Sequence, residues 1–261
     1  MTSSFGIAGS NPAAPAFLTR LRAAEMDLRV LGPYLGADDG QDDYTGLRTL
    51  LLLPRDIMES EALLFEEAAF ARNAPDLELI VISATLSPRY VRALRARISH
   101  KIALIDAPFV GNLRLIETEK PSFLLGGEAK AIAKMQPVFD ILGHSSAVMG
   151  QFGTAMAAKA LQDCLAAASS AMSRSASDWA EAQGIEEAKL VELLQATFGK
   201  NMPCSRDPAS LVTKALPGDN AGAVLVQHVE AALDTALAGV HLNPPRNFDQ
   251  ALATIKSRLL H

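Results

Sequence analysis

The chain has 261 residues, of which 49% are hydrophobic and 5% aromatic, and its formal net charge is −5. Its length suits one large domain or two modest ones, and a net acidic chain with no strongly basic patch argues against nucleic-acid binding and membrane-surface binding. Its two cysteines, Cys164 and Cys204, have no metal-ligand spacing and fit a reducing, cytoplasmic location. We expect neither a signal peptide nor a membrane span, since no apolar run approaches the roughly 20 residues that a span requires.

Residues 1 to 148 alternate short apolar runs with amphipathic segments, the order expected of βαβ units. The predicted strands are Ser4–Ala8, Asp27–Leu31, Thr49–Leu53, Leu77–Ile82, Ala103–Asp106 and Ser122–Leu125. The predicted helices are Pro15–Ala24, Glu59–Phe70, Pro88–Ile98 and Ala129–Leu142. This pattern predicts an α/β domain with a parallel sheet, in which ligands bind at the carboxyl ends of the strands.

From Thr154 onward the pattern is almost entirely helical, and we assign residues 149–261 to an all-α second domain. Its first helix is predicted over Thr154–Gln183, before Gly184. Further helices are predicted at Glu186–Thr197, Pro208–Thr213, Gly222–Ala238 and Asp249–Leu259. The many alanine and serine residues of the first helix allow a second helix to approach closely, so we expect a homodimer through helix 154–183.

Lys159 is a candidate catalytic residue on this long helix, where it follows Gly153 by six positions. A lysine among apolar neighbours must find a partner or have a lowered pKa, and both outcomes are common at functional sites. The alternative is an ordinary surface lysine whose methylenes cover apolar surface and whose ammonium weakly pairs with Asp163, one turn later. The helix by itself leaves both interpretations open.

Several glycine-containing segments, taken in order along the chain, resemble the β-hydroxyacid dehydrogenase family, which includes 3-hydroxyisobutyrate and 6-phosphogluconate dehydrogenases. They are Gly9 after the first strand, Leu53-Pro54, Asp106-Ala107-Pro108 through Gly111, Leu125-Gly126-Gly127, and Gly150 through Lys159. The resemblance implies a Rossmann-like, doubly wound parallel sheet followed by an all-α domain, with a nicotinamide cofactor, NAD or NADP, between them. In that family the lysine matching Lys159 protonates the carbonyl oxygen during reduction, while hydride moves from the nicotinamide.

The dinucleotide loop of that family corresponds here to Gly9, Ser10, Asn11 and Pro12, and the resemblance adds Leu53, Pro54 and Thr85 as cofactor-binding candidates. Asn11 stands where a glycine allows close approach of the pyrophosphate, so its side chain should weaken binding unless its amide contacts the phosphate. The alternative is that this segment is only a tight strand-to-helix turn.

The adenosine side of the expected pocket differs from the family pattern. No acidic or basic residue for the ribose follows the second strand, and only about fifteen residues separate that strand from Thr49, too few for the usual helix and strand. An acidic loop spans residues 38–43 and would repel a 2′-phosphate. If a dinucleotide binds, NAD is therefore favoured over NADP.

The substrate side differs as well. Val110, Gly111 and Asn112 replace the family's serine and paired glycines, and Gln227 and His228 replace its Lys-Asp pair. His228 has the alternative of an ordinary helix histidine bonded to water or a carbonyl.

Asp163 replaces the family's asparagine one turn after the lysine, and we count it with Lys159 as a catalytic candidate. A carboxylate near an ammonium favours the charged form, so this pair should be a better acid than base. The chemistry should therefore run toward reduction.

The leading hypothesis is an NAD(P)-dependent oxidoreductase that acts on a small hydroxy or keto compound, with no metal. The first alternative is a lyase or isomerase that uses Lys159, Asp163 and His228 in a cleft inherited from a dehydrogenase. The second is a non-catalytic binding protein that has lost the dinucleotide. Binding of NADH separates the first hypothesis from the other two.

Overall fold

A computed structural model describes residues 4–32, 44–111 and 116–198. The chain divides into two compact units, one of Met1–Gly111 with Leu115–Lys159 and one of Asn112–Arg114 with Ala160–His261. This division falls within the long helix, whereas the domain boundary expected from the sequence lies at residues 148 and 149. The predicted helices Pro208–Thr213, Gly222–Ala238 and Asp249–Leu259 lie outside the described residues.

An eight-stranded sheet forms the first unit. Its strands are β1 (Phe5–Ala8), β2 (Arg29–Leu31), β3 (Thr49–Leu52), β4 (Leu79–Ile82), β5 (Ala103–Asp106), β6 (Phe109–Val110), β7 (Ser122–Gly127) and β8 (Ser145–Gly150). The strand order is β2-β1-β3-β4-β5-β7-β6, and β8 pairs with β7. The first five strands are parallel, so the predicted Rossmann-like sheet is confirmed over this part.

The sheet departs from the predicted parallel arrangement at β7, which runs antiparallel to both β5 and β6. Two strands, β6 and β8, were also missed. β6 has only two residues, and β8 is mostly exposed and lacks the apolar alternation that identifies a strand in a sequence. The carboxyl-terminal part of β7 pairs with β5, and its first residues pair with β6. β8 pairs with β7 as well, so these three strands extend the sheet beyond the end of β5.

The helices agree with the predictions except in one region. They are α1 (Ala14–Ala23), α2 (Ile57–Glu61), α3 (Phe70–Asn73), α4 (Pro88–Arg97), α5 (Ala129–Leu142), α6 (Thr154–Ala182) and α7 (Glu187–Phe198). The single helix predicted over Glu59–Phe70 is wrong: α2 continues into a π-helical turn, Ala62–Glu66, and Ala69 then adopts a left-handed backbone with φ of 47°. Leu63, Leu64 and Phe70 all lie in the core.

The central strands β3 and β4 are buried along their whole length. They read as continuous apolar runs, as expected of parallel strands covered by helices on both faces. Neighbouring strands also end in register, since Ala8 pairs with Leu52, Leu52 with Ile82, and Ile82 with Asp106. The loops that follow these four strands therefore meet along one carboxyl edge of the sheet. None of the described helices could cross a membrane.

Candidate functional site

The turn after β1, residues 9–12, is called the glycine turn below, and it packs directly against the end of β3. Gly9 has a φ of 119°, and a Cβ atom at this position would clash with the Leu53 carbonyl. The backbone N–H of Asn11 donates a hydrogen bond of 2.9 Å to that same Leu53 oxygen, and the Asn11 amide contacts the Pro54 carbonyl at 3.4 Å. The structure thus brings together two of the predicted cofactor segments, and only glycine fits at the first position.

The Asn11 side chain is directed to the start of α1. Its Oδ1 atom accepts a hydrogen bond of 3.0 Å from the backbone N–H of Ala13, so it occupies one of the donors that a helix N-terminus offers to an anion. The proline of the first helical turn is Pro15, whereas Pro12 lies exposed in the preceding turn.

A residue that the sequence analysis missed, Glu59, lies at the same turn. Its side chain is buried, with 5% of the residue exposed. Oε1 accepts a hydrogen bond of 2.6 Å from the backbone N–H of Ser10, and Oε2 accepts bonds of 2.6 Å from the Ser10 hydroxyl and 2.7 Å from the Arg55 N–H. The glycine turn therefore already binds a carboxylate, that of Glu59.

The sequence held one signal for Glu59. The spacing Asp56-x-x-Glu59 is that of a capping box, and Asp56 does accept a hydrogen bond of 2.9 Å from the Glu59 N–H. This contact, and secondarily the neighbouring Arg55, hold the pKa of Asp56 below its usual value, although burial opposes them. The reciprocal half of the box is absent, because the Glu59 carboxylate reaches Ser10 and Arg55 instead.

Asp106, at the end of β5, fixes the start of the helix that carries Lys159. Its fully buried carboxylate accepts hydrogen bonds of 2.7 Å from the backbone N–H groups of Gly153 and Met156. Burial raises the pKa of Asp106, while these N–H donors act in the opposite direction. A Cβ atom at Gly126 would clash with the Asp106 carboxylate, which explains a glycine there.

Lys159 is half-buried and follows Met156 by three residues on α6. It is the last residue of the first unit. Asp163 lies one turn later on the same helix and is buried within the second unit. Burial, and secondarily the Asp163 carboxylate, raise the pKa of the Cys164 thiol.

The remaining predicted site residues occupy different places. Thr85 is half-buried in the loop after β4, which is tied to the loop after β5 by a 2.9 Å hydrogen bond from the Ser83 hydroxyl to the Ala107 carbonyl. Val110 pairs with Ser122 on the part of the sheet that extends past this edge, and exposed Gly111 follows it. Asn112, Gln227 and His228 lie outside the described residues, as does the acidic loop 38–43.

The framework of this edge fits a dinucleotide, with one exception. The glycine turn, the helix that follows it and the neighbouring loops have the arrangement that a Rossmann domain uses. The exception is that the N–H groups of Ser10 and Ala13 already donate to Glu59 and Asn11. Within the described residues, no group of three acidic, histidine or cysteine side chains could hold a metal ion.

Comparison with known proteins agrees with this framework. Residues 34–153 match the sequence model of the NAD binding domain of 6-phosphogluconate dehydrogenase. The NAD-dependent L-serine dehydrogenase of Pseudomonas aeruginosa is 26% identical over 137 residues, which are 52% of this chain and 46% of that protein. The 3-hydroxyisobutyrate dehydrogenase of the same organism is 26% identical over 208 residues, which are 78% of this chain and 70% of that protein. The chain is therefore similar to proteins of the β-hydroxyacid dehydrogenase family.

A solved 3-hydroxyisobutyrate dehydrogenase has a similar fold. The Mycobacterium tuberculosis 3-hydroxyisobutyrate dehydrogenase, determined with L-serine, superposes with a TM-score of 0.73 at 17% identity, covering 100% of this chain and 92% of that one. Its likeness supports a Rossmann domain followed by a helical domain. The chain spans less than half the length of the serine dehydrogenase that it matches.

Proposed function

We propose that this protein belongs to the β-hydroxyacid dehydrogenase family and is an NAD(P)-dependent oxidoreductase acting on a small hydroxy or keto compound, with Lys159 as the proton donor. The observation that carries the proposal is the pair of hydrogen bonds that the Asp106 carboxylate accepts from the backbone N–H groups of Gly153 and Met156. It anchors the helix bearing Lys159 at the same sheet edge as the glycine turn, so a proton donor and a dinucleotide framework belong to one compact unit.

The chemistry follows from the charge of the lysine. A reduced nicotinamide, when bound, supplies the hydride that adds to a carbonyl carbon. The Lys159 ammonium donates its proton to the carbonyl oxygen, which becomes the hydroxyl of the product, and the neutral amine then regains a proton from water. Asp163 lies one turn further along the same helix, and we propose that the reaction runs in the reductive direction.

The proposed substrate class is a small hydroxy acid or its keto or aldehyde counterpart. The names of the relatives point to it, since they are serine and 3-hydroxyisobutyrate dehydrogenases. Val110 and Gly111 are proposed to contact it with Asn112, Gln227 and His228. We propose NAD as the cofactor, because the acidic loop 38–43 would repel the 2′-phosphate of NADP.

Titration of the purified protein with NADH and NADPH tests the redox proposal. Binding of NADH in the micromolar range supports it, and absence of binding at millimolar concentration of both cofactors would refute it. With a substrate from a panel containing L-serine and 3-hydroxyisobutyrate, we expect Lys159→Ala to retain NADH binding and to lose at least about a hundredfold in kcat, as general acid catalysis requires. Lys130→Ala, an exposed lysine on α5, is the matched control.

One observation favours a second candidate, a binding protein on this fold that no longer takes a dinucleotide. The Glu59 carboxylate occupies the Ser10 N–H group that would otherwise serve the pyrophosphate. The same NADH titration distinguishes the two candidates.

We also propose that the protein is a cytoplasmic homodimer whose subunits meet through the long helix. Leu161, Leu165 and Trp179 of α6 are 56%, 69% and 77% exposed. Their spacing of four and fourteen residues places them on one face at 3.6 residues per turn. Trp179→Glu should convert a dimer to a monomer in light scattering, and an unchanged mass would contradict this interface.

A further inference from the structure

Glu59 is a buried carboxylate whose hydrogen bonds come from the turn where the family binds a diphosphate. Three donors converge on it: the backbone N–H of Ser10, the Ser10 hydroxyl and the backbone N–H of Arg55, all within 2.7 Å. These are short, charge-assisted hydrogen bonds, and they match the pattern by which backbone N–H groups hold a phosphate oxygen. Glu59 thus takes the place of an anionic ligand.

Glu59 does not belong to α1, the helix that follows the turn, but reaches the turn from another part of the chain. Glu59 belongs to α2, after β3, while Ser10 follows β1, and the two are 49 residues apart in the chain. The contact closes the turn from the side of β3, where the Leu53 and Pro54 carbonyls also bond to Asn11. A diphosphate that reaches the Ser10 N–H must displace the carboxylate or lie beside it.

We infer that Glu59 is an internal anion that competes with the dinucleotide pyrophosphate and so sets the cofactor affinity of the turn. The carboxylate and the pyrophosphate would compete for the same Ser10 N–H donor, and a negative charge held at this place repels the pyrophosphate. This inference rests on the proposed function, because it concerns the same cofactor site.

Replacement by glutamine removes the charge and keeps the shape. If the glutamine oxygen accepts from Arg55 and from the Ser10 hydroxyl, its amide group faces the Ser10 N–H and cannot accept from it. The Ser10 N–H then becomes available to a phosphate oxygen. Glu61→Gln is the matched control, since it makes the same change two residues later on a carboxylate that bonds to Arg97 at the surface.

The experiment measures dissociation constants of NADH by calorimetry, with inorganic pyrophosphate as a second probe, for wild type, Glu59→Gln and Glu61→Gln. We expect Glu59→Gln to bind NADH at least about tenfold more tightly than wild type, and Glu61→Gln to bind like wild type. Ser10→Ala, which removes a hydroxyl that holds Glu59 but keeps both the charge and the backbone N–H, should give a smaller gain.

The outcomes separate this inference from the proposed function. If wild type binds NADH and Glu59→Gln binds it with equal or lower affinity, the inference is overturned and the proposed function stands. Binding by Glu59→Gln without binding by wild type supports the inference and overturns the function, whereas absence of binding in both overturns both. If thermal melting shows that Glu59→Gln is unfolded, Ser10→Ala decides, and an affinity equal to wild type overturns the inference.

Discussion

The buried carboxylate of Asp106 accepts a hydrogen bond of 2.7 Å from the backbone N–H of Gly153, 47 residues later in the chain. With the parallel bond from Met156, this contact caps α6 at the carboxyl edge of the sheet. The Asp-Ala-Pro segment therefore has a structural role in this protein, which is to fix the first turn of the helix that carries Lys159. Two predictions follow directly from this cap.

Asp106→Ala should reduce the free energy of unfolding by about 3 kcal/mol, because two buried N–H groups lose their acceptor. Urea denaturation monitored by circular dichroism measures the change. Asp140→Ala is the control, since Asp140 is an exposed aspartate at the end of α5 and should cost under about 0.5 kcal/mol. Equal losses for the two variants would contradict the capping role.

Gly126→Ala should destabilise the protein by about 2 kcal/mol or more, because the added Cβ would clash with the Asp106 carboxylate and lie 2.8 Å from the Gln151 carbonyl. A second effect separates it from simple strain. If the clash displaces the cap, Lys159-dependent turnover should fall along with stability. Gly184→Ala is the control: its Cβ would meet no atom within 4 Å, so only the cost of its φ of 74° is expected.

Asp163→Asn should make Cys164 more reactive. Burial is the larger cause of the raised thiol pKa and the Asp163 carboxylate the smaller, so removal of that charge lowers the pKa and increases the thiolate fraction. In a Cys204→Ser background, we expect iodoacetamide alkylation at pH 8.5 to accelerate by about two- to threefold. Asp178→Asn, an exposed aspartate later on α6, should leave the rate unchanged. A rate unaffected by Asp163→Asn would show that this carboxylate does not act on the thiol.

The ion pair of Glu61 with Arg97 should give a small pH-dependent stability. Hydrogen bonds of 2.6 and 2.7 Å from Arg97 are the main reason that the pKa of Glu61 is lowered from its usual 4.5. The native state therefore binds the proton less readily than the unfolded state, so the stabilisation is complete above pH 4.5 and is lost as the pH falls through the native pKa. Because the side chains are 25% and 44% exposed, we expect only about 0.5 kcal/mol.

Urea unfolding of wild type and Glu61→Gln between pH 2.5 and 7 tests this sign. The difference between the two proteins should be present at pH 6 and should vanish at the acidic end. A difference that grows as the pH falls would contradict the assignment.

The sequence by itself determined the features that depend on neighbouring residues. The apolar runs Thr49–Leu53 and Leu77–Ile82 predicted the central strands, which the structure places at Thr49–Leu52 and Leu79–Ile82, because strands buried on both faces carry few polar residues. The helical period from Thr154 predicted a helix to Gln183, one residue beyond the observed end of α6 at Ala182. Gly9 likewise marked a turn at which only glycine fits.

Only the tertiary structure decided the contacts between distant residues. The reversal of β7 and the pairs Ser10 with Glu59 and Asp106 with Gly153 depend on which strands become neighbours. A carboxylate in a helix such as Glu59 has the same local pattern whether it faces solvent or another loop. Its buried position follows from the hydrogen bonds that join α2 to the turn after β1, and contacts across 49 residues leave no periodicity in the sequence.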